Sequence, residues 1–346
     1  MLIKLDDIYD LYHWKPGTVI DVRSPGEYHR GHWPGAVNIP LLNDEKRELI
    51  GKTYKAEGHF KAVQLGFELA GGHFHHIIKE SIKVAETRPV FLYCSRGGLR
   101  SEIVEWVLEK CGLQTKRLIG GYKTLRHAVL QLLEKPWPLR VLGGNTGSGK
   151  TEVLQCWEEQ KLAQVIDLEG LACHRGSAFG ALGQCEQPST EHFENMLAFK
   201  LLHMMSTQPI WLEDESRMIG KVKIPDAFFD RMKTAPWVAL DVDFDKRKQR
   251  ILSEYGRFSH TRLSEATVRV RKRLGNLRLT EALNALDQGD LPKWAGIMLA
   301  YYDKTYAQTL AQHKVPEEVS LPYGRAPECK GAARLYRQLP ATLTHL

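Results

Sequence analysis

Runs rich in Val, Ile and Leu alternate along most of this chain with stretches whose apolar residues recur every three or four positions. That switching of period predicts strands and helices in turn, and therefore α/β architecture with parallel sheets. The first set of predicted strands is 18–24 (TVIDVRS), 36–41 (AVNIPL), 89–94 (PVFLYC) and 115–121 (TKRLIGG), with helical patterns at 73–88, 99–111 and 122–134. Lys135-Pro-Trp-Pro138 breaks the last helix, because proline cannot donate a backbone hydrogen bond and restricts the residue before it. A second set follows at 139–144, 164–170, 209–216 and 236–243, separated by helical patterns at 151–161, 189–205 and 225–234. After 244 the strands are expected to stop. Helices run to about 312, and a polar tail carries Pro316, Pro322 and Pro327. The expected organisation is one α/β domain at 1–136, a second at 137–243 and a helical extension at 244–346.

Composition narrows the class. The chain has 346 residues, 43% hydrophobic and 26% charged, enough for two folded cores and too apolar for extensive disorder. No stretch approaches the roughly 18 apolar residues of a membrane span, and the acidic start MLIKLDD lacks the basic and apolar regions of a signal peptide. The six cysteines are scattered with no C-x-x-C pair, which predicts neither a disulfide framework nor a zinc ribbon and suits a reducing cytoplasm. Cys111, Cys156 and Cys329 read as half-buried structural thiols; Cys173 and Cys185 flank a polar loop and stay open.

The net charge of +7 is unevenly spread. Between Lys246 and Arg278 eleven Lys/Arg face two Glu, a local +9, which leaves the rest of the chain at −2. A concentrated basic segment predicts a phosphate-backbone partner, with Tyr255, Phe258, Tyr301, Tyr302 and Tyr306 available either as core residues or for stacking on a base.

Two motifs carry chemistry. Gly144-Asn-Thr-Gly147-Ser-Gly149-Lys150-Thr151 fits G-x-x-x-x-G-K-[ST] between a strand and a helix, where glycines let backbone N–H groups converge on phosphate, Lys150 adds a charge and the Thr151 hydroxyl suits a metal ion. Asp214 or Glu213, at the end of the LEDES strand, is the matching carboxylate for Mg²⁺. His174 and Arg175, after another strand of the same set, read as further contacts to phosphate or to a base. The second motif is Cys94-Ser-Arg96-Gly-Gly-Leu-Arg100. It places a thiol at a strand end before a helix, where loop N–H groups, Arg96 and Arg100 would favour a thiolate beside a bound anion.

The first set of elements resembles the rhodanese family through Asp21-Val-Arg23-Ser-Pro25, Gly31-His-Trp-Pro-Gly35 with Asn38, the Cys94 loop and Gly120-Gly121-Tyr122. A rhodanese domain followed by a P-loop domain resembles the tRNA 2-selenouridine synthases, a likeness that extends through Asp167-Leu-Glu169-Gly170, His174-Arg-Gly-Ser177, the LEDES strand and Tyr301-Tyr-Asp303. The resemblance implies exchange of sulfur for selenium at C2 of wobble 2-thiouridine in tRNA. The thiouridine sulfur is first alkylated by geranyl diphosphate, and selenium from selenophosphate then arrives through a selanyl-cysteine at Cys94. It implies no firmly bound cofactor, with Mg²⁺ as a possible metal. The competing reading is a rhodanese-fold C-x5-R phosphatase, or a sulfurtransferase coupled to an NTPase.

Overall fold

A computed structural model of the chain describes residues 2–3, 17–310, 318–322 and 329–344. The described residues separate into two compact units, Met1–Glu134 with Glu191–Leu202, and Lys135–Thr190 with His203–Leu346.

The first unit is built on a five-stranded sheet of β1 (Leu2–Ile3), β2 (Thr18–Asp21), β3 (Val37–Asn38), β4 (Val90–Tyr93) and β5 (Thr115–Leu118). The strands are all parallel in the order β1-β5-β4-β2-β3. β4 is buried at every residue, as a central strand covered on both faces must be, which explains its unbroken apolar run. Its core joins Ile20, Leu92, Val104 and Leu108 to Ile77 and Ala85 of the helix Phe74–Ala85. Between β3 and that helix lie two further helices, Asp44–Glu57 and His59–Ala70. The first starts where the Asn43 side chain accepts from Lys46 N.

The second unit carries β6 (Leu139–Gly143), β7 (Gln164–Ile166), β8 (Ile210–Glu213), the hairpin β9 (Met218–Ile219) and β10 (Val222–Lys223), β11 (Trp237–Asp241) and β12 (Glu318–Pro322). Its main sheet is parallel in the order β12-β11-β6-β8-β7. A separate helical core gathers Phe179, Ile251, Tyr255, Leu263, Trp294 and Tyr301.

Three expectations need correction. Strands do not end at 244: β12 pairs along all of β11, and Pro322 is tolerated because it closes an edge strand that needs no further donor there. The helix Thr190–Leu202, counted by sequence position with the second domain, contributes Glu191–Leu202 to the first unit. Finally, two cysteine pairs are bonded, Cys156–Cys329 and Cys173–Cys185, where the scattered spacing predicted none. The first pair forms because the helix Cys329–Gln338 packs on the helix Lys150–Glu159, a contact sealed by Trp157 Nε1 donating to Ala332 O at 2.7 Å.

Candidate active site

In the first unit, β4 delivers Cys94 to a turn that ends at the helix Leu99–Lys110. The residue is 3% exposed, and Ser101 Oγ donates to its sulfur at 3.2 Å. The Gly120-Gly121 turn clamps the loop from behind: Tyr122 N donates to Cys94 O at 2.8 Å and Lys123 N to Ser95 O at 3.0 Å. Gly121 has φ +58° and a Cβ there would strike Cys94 O and Gly97 N, so only glycine permits this approach. Tyr122 lies beneath the Arg23 guanidinium, 3.7 Å from ring centroid to carbon, and its hydroxyl meets Glu191 and Asn195 of the helix Thr190–Leu202.

The expected cationic cradle is only partly present. Arg96 is exposed on the loop. Arg100 instead donates to Glu27 Oε2 at 2.6 Å and to Ser95 Oγ at 2.9 Å. Burial alone would push the Glu27 carboxyl up, but the Arg100 guanidinium, with Ser95 Oγ and Ser24 N, holds it down to about 2. Much of the Arg100 charge is thus neutralised by a carboxylate 73 residues earlier, a partner that no local spacing announces.

In the second unit, the sequence GNTGSGKT forms the turn between β6 and the helix Lys150–Glu159, with Gly144, Gly147 and Gly149 all at positive φ. Lys150 Nζ donates back to Gly144 O at 2.9 Å. A cavity of about 1070 Å³ opens over this loop, and Lys150, Thr151, Arg175, Arg250, Arg269 and Lys272 bring cations and a hydroxyl to its wall. A Cβ at Gly149 would collide with the Arg250 guanidinium, so the basic helix lies directly on the loop. Arg247, on the same helix, is buried, donates to Thr146 O at 3.2 Å and forms a two-pronged pair with Asp303 at 2.8 Å.

Two members of the basic segment therefore serve the phosphate loop. Eight others (Lys246, Arg257, Arg262, Arg269, Arg271, Lys272, Arg273 and Arg278) stay exposed, of which Arg269, Lys272 and Arg273 also line the cavity. The aromatic residues of the region are mostly structural. Tyr255 and Tyr301 are buried, Tyr302 accepts from Ala178 N, and Tyr306 bonds the phosphate loop.

The predicted phosphate contacts divide. Arg175 lines the cavity and pairs with Glu254 at 3.0 Å. His174 does not line it. It is buried against Gly180 and Gly220, just after Cys173 turns the chain through the left-handed region at the end of the helix Leu168–Ala172. Asp214 accepts from the Tyr306 hydroxyl at 2.9 Å, whereas Glu213 is the carboxylate that meets Thr151. Glu169 and Glu215, to which the sequence assigned no role, join Glu213 at the floor: carboxyl oxygens of the three lie within 4.8 Å of one another. Burial, followed by mutual repulsion, pushes Glu169 up to about 9 and Glu213 and Glu215 up to about 8. The i, i+2 spacing of Glu213 and Glu215 was a legible signal, since such residues share a side of an extended chain. The approach of Glu169 was not.

A cysteine turn at the end of one parallel sheet and a phosphate loop at the end of another define a rhodanese-like domain joined to a P-loop-type domain. Residues 4–128 match the rhodanese-like domain, and residues 137–321 match the tRNA 2-selenouridine synthase AAA domain. The chain is 38% identical over 347 residues to a tRNA 2-selenouridine synthase of Pseudomonas fluorescens (strain Pf0-1), covering 88% of this chain and 91% of that protein. The protein of the same name in Cupriavidus pinatubonensis is 36% identical, with 84% and 87% covered, and that of Sulfurovum sp. is 35% identical, with 92% and 95% covered. The chain belongs to the tRNA 2-selenouridine synthase family. No helix among the described residues is long and apolar enough to cross a membrane.

Proposed function

We propose that this protein is a tRNA-modifying transferase that converts wobble 2-thiouridine into 2-selenouridine in two steps. In the first, the thiouridine sulfur attacks C1 of geranyl diphosphate; the C–S bond forms, the C–O bond breaks and N3 gives up its proton. The phosphate loop, Lys150, Arg175 and Arg250 hold the departing diphosphate, where negative charge grows as the bond breaks. In the second, selenophosphate held at the Cys94 loop attacks C2 through its selenium; the C–Se bond forms, the C–S bond breaks, the Cys94 thiol gives its proton to the departing geranylthiolate, and water then cleaves the Se–P bond, releasing phosphate and leaving the selenocarbonyl. A thiocarbonyl sulfur leaves poorly, so the alkylation converts it into a leaving group. The exposed cations of 246–278 grip the tRNA backbone.

The observation that carries this reading is the pairing, on one chain of this family, of the Cys94 loop with a cation-lined cavity over the phosphate loop. The test is nucleoside analysis by mass spectrometry of 2-thiouridine tRNA incubated with the full chain, geranyl diphosphate and selenophosphate, each donor omitted in turn. S-geranyl-2-thiouridine should accumulate without selenophosphate. Neither modified nucleoside should form without geranyl diphosphate; selenouridine formed in its absence overturns the two-step order.

A further inference from the structure

The floor of the phosphate-loop cavity presents an electrostatic problem that the proposed reaction leaves unsolved. Lys150, Thr151 and the loop backbone are arranged for an anion, yet Glu169, Glu213 and Glu215 converge beside them with ligand oxygens within 4.8 Å of one another. Three carboxyl groups that close cannot all ionise unless a cation sits among them, and in their ionised form without one they would repel any phosphate that enters. A second observation indicates what completes the cluster. Glu213 is 2% exposed, and its Oε1 has no hydrogen-bond partner, an orphaned carboxyl oxygen enclosed beside two other carboxyl groups. Buried acceptors are normally satisfied, so an unsatisfied one in a cavity wall marks a missing ligand. The donor set consists of hard carboxylate oxygens with a hydroxyl alongside, the set that suits Mg²⁺ or Mn²⁺ and not a soft metal.

We propose that Glu169, Glu213 and Glu215 together form a divalent-cation site at the floor of the phosphate-loop cavity, and that Asp214 is not a ligand of it. Asp214 is excluded by its own partner, because its Oδ2 is held by the Tyr306 hydroxyl, which in turn accepts from Gly144 N. The strand-end acid nearest the loop in sequence thus braces the loop, while its two neighbours supply the metal ligands. A cation seated there would turn the acidic floor into a surface that attracts a diphosphate. This assignment holds whichever diphosphate compound the protein uses, so it stands or falls separately from the geranyl reading.

Mn²⁺ binding to the full chain, counted by electron paramagnetic resonance with and without inorganic pyrophosphate, tests the site. Wild-type protein should bind one Mn²⁺, more tightly with pyrophosphate present. Glu213→Gln and, at a less enclosed position, Glu169→Gln should each weaken binding by about tenfold or more, while Asp214→Asn should stay within about twofold of wild type. Melting followed by circular dichroism identifies a variant that does not fold, in which case the other glutamate variant decides. Absence of Mn²⁺ binding to wild type under both conditions overturns the proposal. So does binding that survives in the folded glutamate variant, or that is lost in Asp214→Asn.

Discussion

The hydroxyl of Tyr306 donates to Asp214 Oδ2 at 2.9 Å, tying the long helix Leu291–Leu310 to the end of β8. The same oxygen accepts from Gly144 N, so one side chain fixes both the strand-end acid and the first glycine of the phosphate loop. Tyr306→Phe removes both bonds and should destabilise the protein by about 1–3 kcal/mol, the cost of leaving partly buried polar groups unmatched. Pyrophosphate affinity should fall with it. Denaturant unfolding and calorimetric titration with pyrophosphate measure the two effects.

Arg247 reaches the loop from the basic helix Phe244–Tyr255 and is nearly fully buried against Asp303. Replacing Asp303 by Ala strands that guanidinium without its counter-charge. A loss of about 3 kcal/mol or more is expected in urea unfolding, because breaking one half of a buried pair costs more than the pair is worth intact. Replacing both residues together with Met and Leu should recover part of it.

The two loops should separate the two chemical steps. Cys94→Ser is expected to abolish selenouridine and leave S-geranyl-2-thiouridine to accumulate. Lys150→Ala should lower the geranylation rate first, by about a hundredfold if it removes one donor to the leaving group. Both are read from nucleoside mass spectra over time. Full-rate selenation by the serine variant would remove Cys94 from its role.

The Glu27–Arg100 pair predicts an acid limit to stability. The carboxyl is held at about 2 when folded, below its ordinary value of 4.5, so the folded protein binds fewer protons than the unfolded chain between those values. Its stabilisation is complete above about 4.5 and disappears as pH falls towards 2. After screening of a partly exposed pair it amounts to about 1–2 kcal/mol. Glu27→Gln should therefore be less stable than wild type at pH 7 and nearly equal to it near pH 2, as measured by denaturant midpoints across that range.

Eight exposed cations between 246 and 278 predict a steep salt dependence of tRNA binding. Each phosphate contact contributes about 0.7–0.9 to the slope of log K against log salt. Neutralising Arg262 and Arg278, which do not line the cavity, should flatten the slope by about 1–2 without changing pyrophosphate affinity. Filter binding at several salt concentrations gives the slopes.

Much of this was legible in one dimension. Strand and helix follow from hydrophobic period, so β4, β6, β8 and β11 each lie inside the range predicted for them. The phosphate and cysteine loops are legible for the same reason, since each is a contiguous turn whose glycines and charged residue must occur in order. The C-terminal strand β12 was hidden because five residues ending in proline resemble a loop until a partner edge is available.

The sequence by itself determined two parallel α/β units and the two anion-binding turns, because these depend on neighbours along the chain. Only tertiary structure decided that Glu27 would take up the charge of Arg100, that Arg247 and Arg250 would leave the basic face for the phosphate loop, and that Glu169 would meet Glu213 and Glu215. Each of those pairs residues far apart in sequence, and Coulombic and hydrogen-bond energies depend on distances that exist only once the sheets have closed.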